Sequence, residues 1–211
     1  MATPIKTYYN NTNNLKEEYY ILDGKKNGLY KLYYDIDEPT IQVLCTYVND
    51  LIQGEYTRFH DDGVIFYITN YKNGKKNGEE NYFQLIDDIE PPRLELESSD
   101  NYLDDKRHGL STVYDRFGNI NLEQNYMNDI LNGTCNKYYY GNLINTSYYF
   151  CGKKEGQYIT YGYDDNNNQY IKQIQYYINN KLHGECKIFD TKGYIKEIIY
   201  YNDGKKKLIK S

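Results

Sequence analysis

The sequence predicts an all-β chain, an elongated single-layer antiparallel meander of repeated β-hairpins, on three observations. First, seven glycines recur at intervals of 23 to 31 residues, Gly28, Gly54, Gly78, Gly109, Gly133, Gly156 and Gly184, and each is followed five residues later by an aromatic: Tyr33, Phe59, Phe83, Tyr114, Tyr138, Tyr161 and Phe189. Second, an aliphatic residue stands thirteen before each glycine and, from the second copy on, a tyrosine stands seven before; five and four before come turn pairs such as Asp23-Gly24, Asn49-Asp50, Asn73-Gly74 and Asn179-Asn180. Third, tyrosine fills 29 of 211 positions and tryptophan none, which suits a thin sheet whose rings are half buried with their hydroxyls in water. Chain length alone would allow one compact domain, but a fixed period of this size marks units that stack on their neighbours.

In chain order, residues 1–14 read as a lead-in and partial cap: Met1 to Lys6 loose, Thr7 to Tyr9 supplying part of a strand, and Asn10 to Asn14 a turn. The repeat array occupies 15–211, with an eighth copy starting at Ile195 and carrying Tyr201, Asp203 and Gly204, but Leu208 in place of the glycine. Each unit reads as two strands. The first runs from the aliphatic position to just past the tyrosine, as in IQVLCTY (Ile41 to Tyr47), and its two fixed positions, six apart, are expected on one face. The turn pair follows, because Asn, Asp and Gly accept the positive φ of a tight hairpin. The second strand, as in GEYTRFH (Gly54 to His60), passes through the glycine, which marks a place where a neighbouring ring lies across the backbone or a bulge. Tyr30, Tyr56 and Tyr158 stand two after the glycine and so face away from the aromatics five after it.

The step from aliphatic position to glycine is always thirteen, whereas the connection from one unit to the next varies from 5 to 13 residues, which puts every insertion on one edge. The acidic insertion at 84–95, within QLIDDIEPPRLELESSD, carries Asp87, Asp88, Glu90 and Glu95, with Glu97 and Asp100 just beyond and Arg93 as the balancing charge. It reads as a solvated loop stiffened by Pro91-Pro92, or as a recognition loop for a basic partner. GYDDNNNQY (Gly162 to Tyr170) reads as a polar, flexible loop. Basic pairs follow the turns, Lys25-Lys26, Lys75-Lys76, Lys106-Arg107, Lys153-Lys154 and the run Lys205 to Lys207, as a broken ladder on exposed strand ends that blocks sheet-to-sheet aggregation.

No GxSxG, HExxH, Walker or GxGxxG motif occurs, so no catalytic residues, metal or cofactor are expected; of His60, His108 and His183, the last two directly precede a repeat glycine and read as surface residues beside turns. Cys45, Cys135, Cys151 and Cys186 stand far apart with no CxxC pair, which fits a cytoplasmic protein without zinc or a disulfide framework. A formal charge of −5 argues against nucleic acid as a partner.

The units NGKKNGEENYF (Asn73 to Phe83), NGLYKLYY (Asn27 to Tyr34) and KLHGECKIFDTKGYIKEIIYYNDGKK (Lys181 to Lys206) resemble MORN repeats, in the divergent form of giant DNA viruses and of bacterial antitoxin-like repeat proteins. The resemblance spans about residues 15 to 206, and the Asn, Tyr, Ile and Lys usage agrees with the AT-rich coding of such a virus. It implies a single-layer sheet with stacked aromatics and glycines, and a role as a scaffold or as a protein or membrane adaptor. The expected function is therefore a non-enzymatic protein-binding scaffold. Tyr30, Tyr56 and Tyr158 with Asp87, Asp88, Glu90, Glu95 and Glu97 are the expected contact residues, toward a protein partner or a second copy of the chain. The alternative is an adaptor on anionic lipid, in the host cytoplasm or the virion if the protein is viral.

Overall fold

The computed structural model describes residues 4–87 and 92–207. Asp88 and Glu90, and Leu208 at the degenerate glycine position, lie outside the described residues. The chain divides into two compact units, Met1–Arg107 and His108–Ser211. The described residues contain no helix and run as an antiparallel meander.

The first unit holds β1 (Ile5–Tyr8), β2 (Leu15–Tyr19), β3 (Ile21–Leu22), β4 (Lys25–Lys26), β5 (Gly28–Tyr33), β6 (Ile41–Val48), β7 (Leu51–Phe59), β8 (Ile65–Lys72), β9 (Lys75–Ile86) and β10 (Arg93–Leu103). β1 pairs with β2, β2 with β5, and each later strand through β10 with the next, while β3 and β4 close the tip of the first hairpin. β11 (Lys106–Tyr114) enters the second unit, which continues with β12 (Ile120–Met127), β13 (Ile130–Tyr139), β14 (Asn142–Phe150), β15 (Lys153–Tyr163), β16 (Gln169–Ile178), β17 (Lys181–Leu182), β18 (Gly184–Phe189), β19 (Ile195–Asn202) and β20 (Lys205–Lys206). From β11 onward, pairing again follows chain order, with β16 bonded to both β17 and β18.

The turn pairs form as the sequence predicts. Both residues of each have positive φ, from Asp23 (50°) and Gly24 (76°) to Asp203 (52°) and Gly204 (81°), the two-residue turn whose twist matches that of the strands it joins. The turns also latch onto the hairpin before them. The second turn residue donates its backbone N–H to the carbonyl two before the preceding repeat glycine, as in Asp50 to Lys26 (2.9 Å), Gly74 to Ile52 (2.9 Å) and Asn180 to Lys154 (3.0 Å). Where that turn residue is Asp or Asn, its side chain closes a second bond onto the lysine N–H, at 2.7 Å for Asp50, 2.8 Å for Asp105 and 2.6 Å for Asn180. After the aliphatic pair Leu51-Ile52 the turn residue is Gly74 instead, and a Cβ there would stand 3.1 Å from Leu51.

Each repeat unit has two irregularities. At Gly54, Gly78, Gly133 and Gly156, three residues centred on the glycine face one residue of the preceding strand, so the glycine lies in a bulge with positive φ. The expected ring across the backbone is met at Gly28, where a Cβ would lie 3.7 Å from the Tyr20 ring, but Gly78 and Gly133 face Asn70 and Asn125 instead, and a Cβ on Gly54, Gly156 or Gly184 would meet nothing within 4 Å. A second bulge precedes each aromatic five after the glycine, where Gln42, Phe66, Glu97, Asn121, Ile144, Lys172 and Lys196 are the extra residues. This corrects the expected common face of Ile41 and Tyr47. Gln42 shifts the alternation, so Ile41 pairs with Tyr33 on one face while Tyr47 meets Tyr30 on the other.

Two insertions expected as loops are partly strand. β9 and β10 extend through the pairs Arg93↔Ile86, Leu94↔Leu85 and Glu95↔Gln84, with Ile86 buried. Gly162 and Tyr163 likewise pair with Tyr170 and Gln169, leaving Asp164 to Asn168 as a compact turn. There the Asp164 carboxylate accepts the N–H groups of Asn166 (2.9 Å) and Asn168 (2.8 Å), and Asp115 and Asp190 close the same bonds in their own connections. The lead-in is ordered earlier than expected, since Ile5 and Lys6 already pair with Tyr19 and Glu18. In the first unit the face of Tyr30 and Tyr56 carries the well-buried small or polar residues Cys45, Thr69 and Glu80, and in the second the face of Tyr158 carries Cys135, Ser147 and Cys186.

Candidate functional site

In a hairpin closed by a two-residue turn, the residue two before the turn faces the residue two after it. That register sets the tyrosine seven before each glycine against the residue two before it, as in Tyr47↔Ile52, Tyr71↔Lys76 and Tyr149↔Lys154. Where the latter is lysine, its stem lies along the tyrosine face and its ammonium comes to rest on rings. The outer lysines Lys25, Lys75 and Lys153 are exposed, as a protective ladder requires, but Lys26, Lys76 and Lys154 are half-buried and turned inward. The lysine ladder expected on exposed strand ends is thus corrected at Lys26, Lys76 and Lys154, while Lys205, Lys206 and Lys207 are exposed as expected.

Three clusters result. Lys26 Nζ lies 4.7, 4.6 and 5.4 Å from the ring centres of Tyr19, Tyr30 and Tyr47. Glu17 Oε2 stands 3.6 Å from that ammonium and accepts the Tyr30 hydroxyl at 2.9 Å. Lys76 Nζ lies 4.9 Å from the Tyr102 ring and 5.6 Å from that of Tyr67. It pairs with Glu80, which is 3% exposed and also accepts the Tyr67 hydroxyl. Lys154 Nζ lies 4.3, 4.8 and 6.0 Å from the rings of Tyr158, Tyr177 and Tyr149.

The ionisation of these groups follows from burial and from the carboxylates. Burial, reinforced by Glu17, holds the Tyr30 phenol well above the usual tyrosine range, and burial with Glu80 does the same for Tyr67 and Tyr102. Burial is the largest single influence on the Lys76 ammonium and works against it, yet the hydrogen bond and the charge of Glu80, with Tyr102 and Tyr71, together raise its pKa. For Lys154 burial prevails and the pKa is lowered. Cys45, buried beside the first cluster, has its thiol pushed up to about 11 by burial.

Of the residues singled out from sequence, Tyr30 and Tyr56 in the first unit and Tyr158 in the second are half-buried rings, each on the cluster-bearing face of its own unit. Tyr56 packs edge-on to Tyr67 (6.3 Å) and tilted to Tyr71 (5.7 Å), and Tyr158 edge-on to Tyr177 (5.9 Å). Among the acids, Asp87 and Glu97 are exposed, whereas Glu95 is half-buried and bonded to Arg93 Nε at 2.5 Å. Glu17 and Glu80 were not singled out, and Lys26, Lys76 and Lys154 were read only as rungs of the exposed ladder, although the register across the turn is readable from the pair spacing. A cleft of about 320 Å³ at the last hairpins is lined by Ile178, Asn179, Lys181, His183 and Asp203, with Lys181 and Asp203 ion-paired at 2.8 Å. Among the described residues no three His, Cys, Asp or Glu side chains come together as metal ligands, and no helix is long and apolar enough to cross a membrane. No protein-family model matches the chain, and no curated protein sequence matches it.

Proposed function

We propose that the chain is a MORN-type repeat protein that acts as a non-enzymatic, protein-binding scaffold in the cytoplasm, a setting its four unpaired thiols suit. The supporting observation is the ring-packed tyrosines of each unit, Tyr30 on Tyr47 and Tyr56 on Tyr67 and Tyr71 in the first, and Tyr158 on Tyr177 in the second. A ring already held by its neighbours gives up little freedom on binding and offers both apolar area and a hydroxyl, the combination enriched in interface hot spots. Exposed Asp87 and Glu97 add negative charge that favours a basic surface on the partner, or on a second copy of the chain. Attachment to anionic lipid is the weaker reading, because Lys26, Lys76 and Lys154, half of the three inner and outer lysine pairs, are turned onto tyrosines.

The test is capture from native lysate with quantitative mass spectrometry, beside light scattering on the purified protein. Tyr56→Ala and Tyr158→Ala are expected to keep the β-sheet circular dichroism and to lose captured protein. A strict monomer that enriches no protein, yet binds phosphatidylserine vesicles in a salt-sensitive way, overturns the reading in favour of lipid.

A further inference from the structure

The three lysine clusters are built to one plan, and in two of them a glutamate completes it. Glu17 stands eleven before its glycine and receives a proton bond from Tyr30, two after it. Glu80 stands two after its glycine and receives one from Tyr67, eleven before it. The carboxylate and the phenol have exchanged places, yet in each case one carboxylate oxygen serves both the ammonium and a tyrosine hydroxyl. At the third cluster the same two positions hold Asn145 and Tyr158: the phenol is in its place and a neutral amide replaces the acid.

The residue opposite Asn145 on the preceding strand is Lys137, an exposed cation, so no acid is supplied from that side either. Lys154 meets the rings of Tyr149, Tyr158 and Tyr177, and the residues at the centre of this face are Cys135, Ser147 and Gln175. Among the described residues no carboxylate pairs with the Lys154 ammonium, and its lowered pKa, against the raised one of Lys76, reflects that difference. A half-buried ammonium without a counter-charge is the arrangement that an incoming anion improves most.

We propose that the Lys154 cluster is a docking site for a carboxylate, and that its occupant is a glutamate or aspartate side chain of a protein partner. The carboxylate takes the ammonium of Lys154 and the hydroxyl of Tyr158, as Glu17 takes those of Lys26 and Tyr30. The identity of the occupant rests on the protein-binding reading above; the carboxylate chemistry rests on the two filled clusters.

The experiment titrates the full chain with an end-capped oligoglutamate peptide and, separately, with its glutamine counterpart, inorganic phosphate and phosphatidylserine vesicles, following the Lys154 side chain by lysine-selective NMR. The glutamate peptide is expected to shift the Lys154 resonance saturably, and the glutamine peptide to leave it unmoved. Lys154→Met removes the cation, and Asn145→Glu installs the missing acid while leaving the lysine in place. Each is expected to weaken peptide binding roughly tenfold or more. Binding that survives both substitutions overturns the proposal, as does a Lys154 response to phosphate or vesicles without one to the peptide. If the chain captures no protein but the peptide still binds through Lys154, the scaffold reading fails and the carboxylate site stands. If protein capture is undiminished in Asn145→Glu, the scaffold reading stands and the site is not where the partner docks.

Discussion

A lysine two before a repeat glycine behaves according to what stands opposite it. Lys76 counterbalances Glu80, which is 3% exposed, so replacing the lysine strands a charge in the sheet. Lys76→Met is expected to destabilise by about 3 kcal/mol, the lower end for breaking a buried pair, and Lys76→Met combined with Glu80→Gln to recover most of that loss. Urea denaturation of the two variants checks this; equal losses would mean that the ion pair is not the cause. The site was legible in part. The tyrosines could be picked out because their recurrence is visible as a period. Glu17 and Glu80 could not, because they occupy two different places in the unit and look like ordinary surface acids until the register brings each to a lysine and a phenol.

Among the elements, the hairpin turns were the most legible, since positive φ at two successive residues restricts the choice to a few residue types. Cys151 is the exception among the repeat turns, holding φ at 49° where the other seven have Asn or Asp; Tyr140 does the same at 48° in the two-residue connection between β13 and β14. Cys151→Asn is expected to stabilise the protein by about 1 kcal/mol, the relief of left-handed strain at a side chain that gains nothing from it, read by thermal or urea unfolding. No gain would indicate that the turn is held by its neighbours, such as the Asn132 side chain that accepts the Cys151 N–H at 3.1 Å. The bulges were less legible. The extra residues Gln42, Phe66, Glu97, Asn121, Ile144, Lys172 and Lys196 share no chemistry, because a bulge is a property of the pairing between strands. The Asp-capped connections were readable but unread: Asp115, Asp164 and Asp190 each stand three before a Gly or Asn with positive φ.

At the scale of the whole molecule, the tyrosines tie stability to alkaline pH. Tyr30, Tyr67 and Tyr102 are held above the usual range, and burial with the hydrogen bond to Glu123 pushes Tyr138 up to about 12. A pKa raised on folding means that the contribution is full below about pH 10, where an unfolded tyrosine titrates, and is lost as pH rises toward the folded values. Absorbance at 295 nm followed beside circular dichroism is expected to show a late-ionising set of phenols whose appearance coincides with loss of the sheet. Titration of all 29 tyrosines near pH 10 with the sheet intact would contradict this.

The latch between a turn and the hairpin before it bears on how such a chain can lengthen. Gly74 bonds to Ile52 and lies against Leu51, while Asp50 and Asp105 close onto Lys26 and Lys76, so the choice of turn residue is matched to a strand that begins before it in the sequence. A stretch of gene copied from one turn to the next would separate each turn from the strand that selects it. The heritable module therefore runs from the start of a second strand through the following turn, and its joints fall between Gly24 and Lys25, between Asp50 and Leu51, and at the equivalent points along the chain.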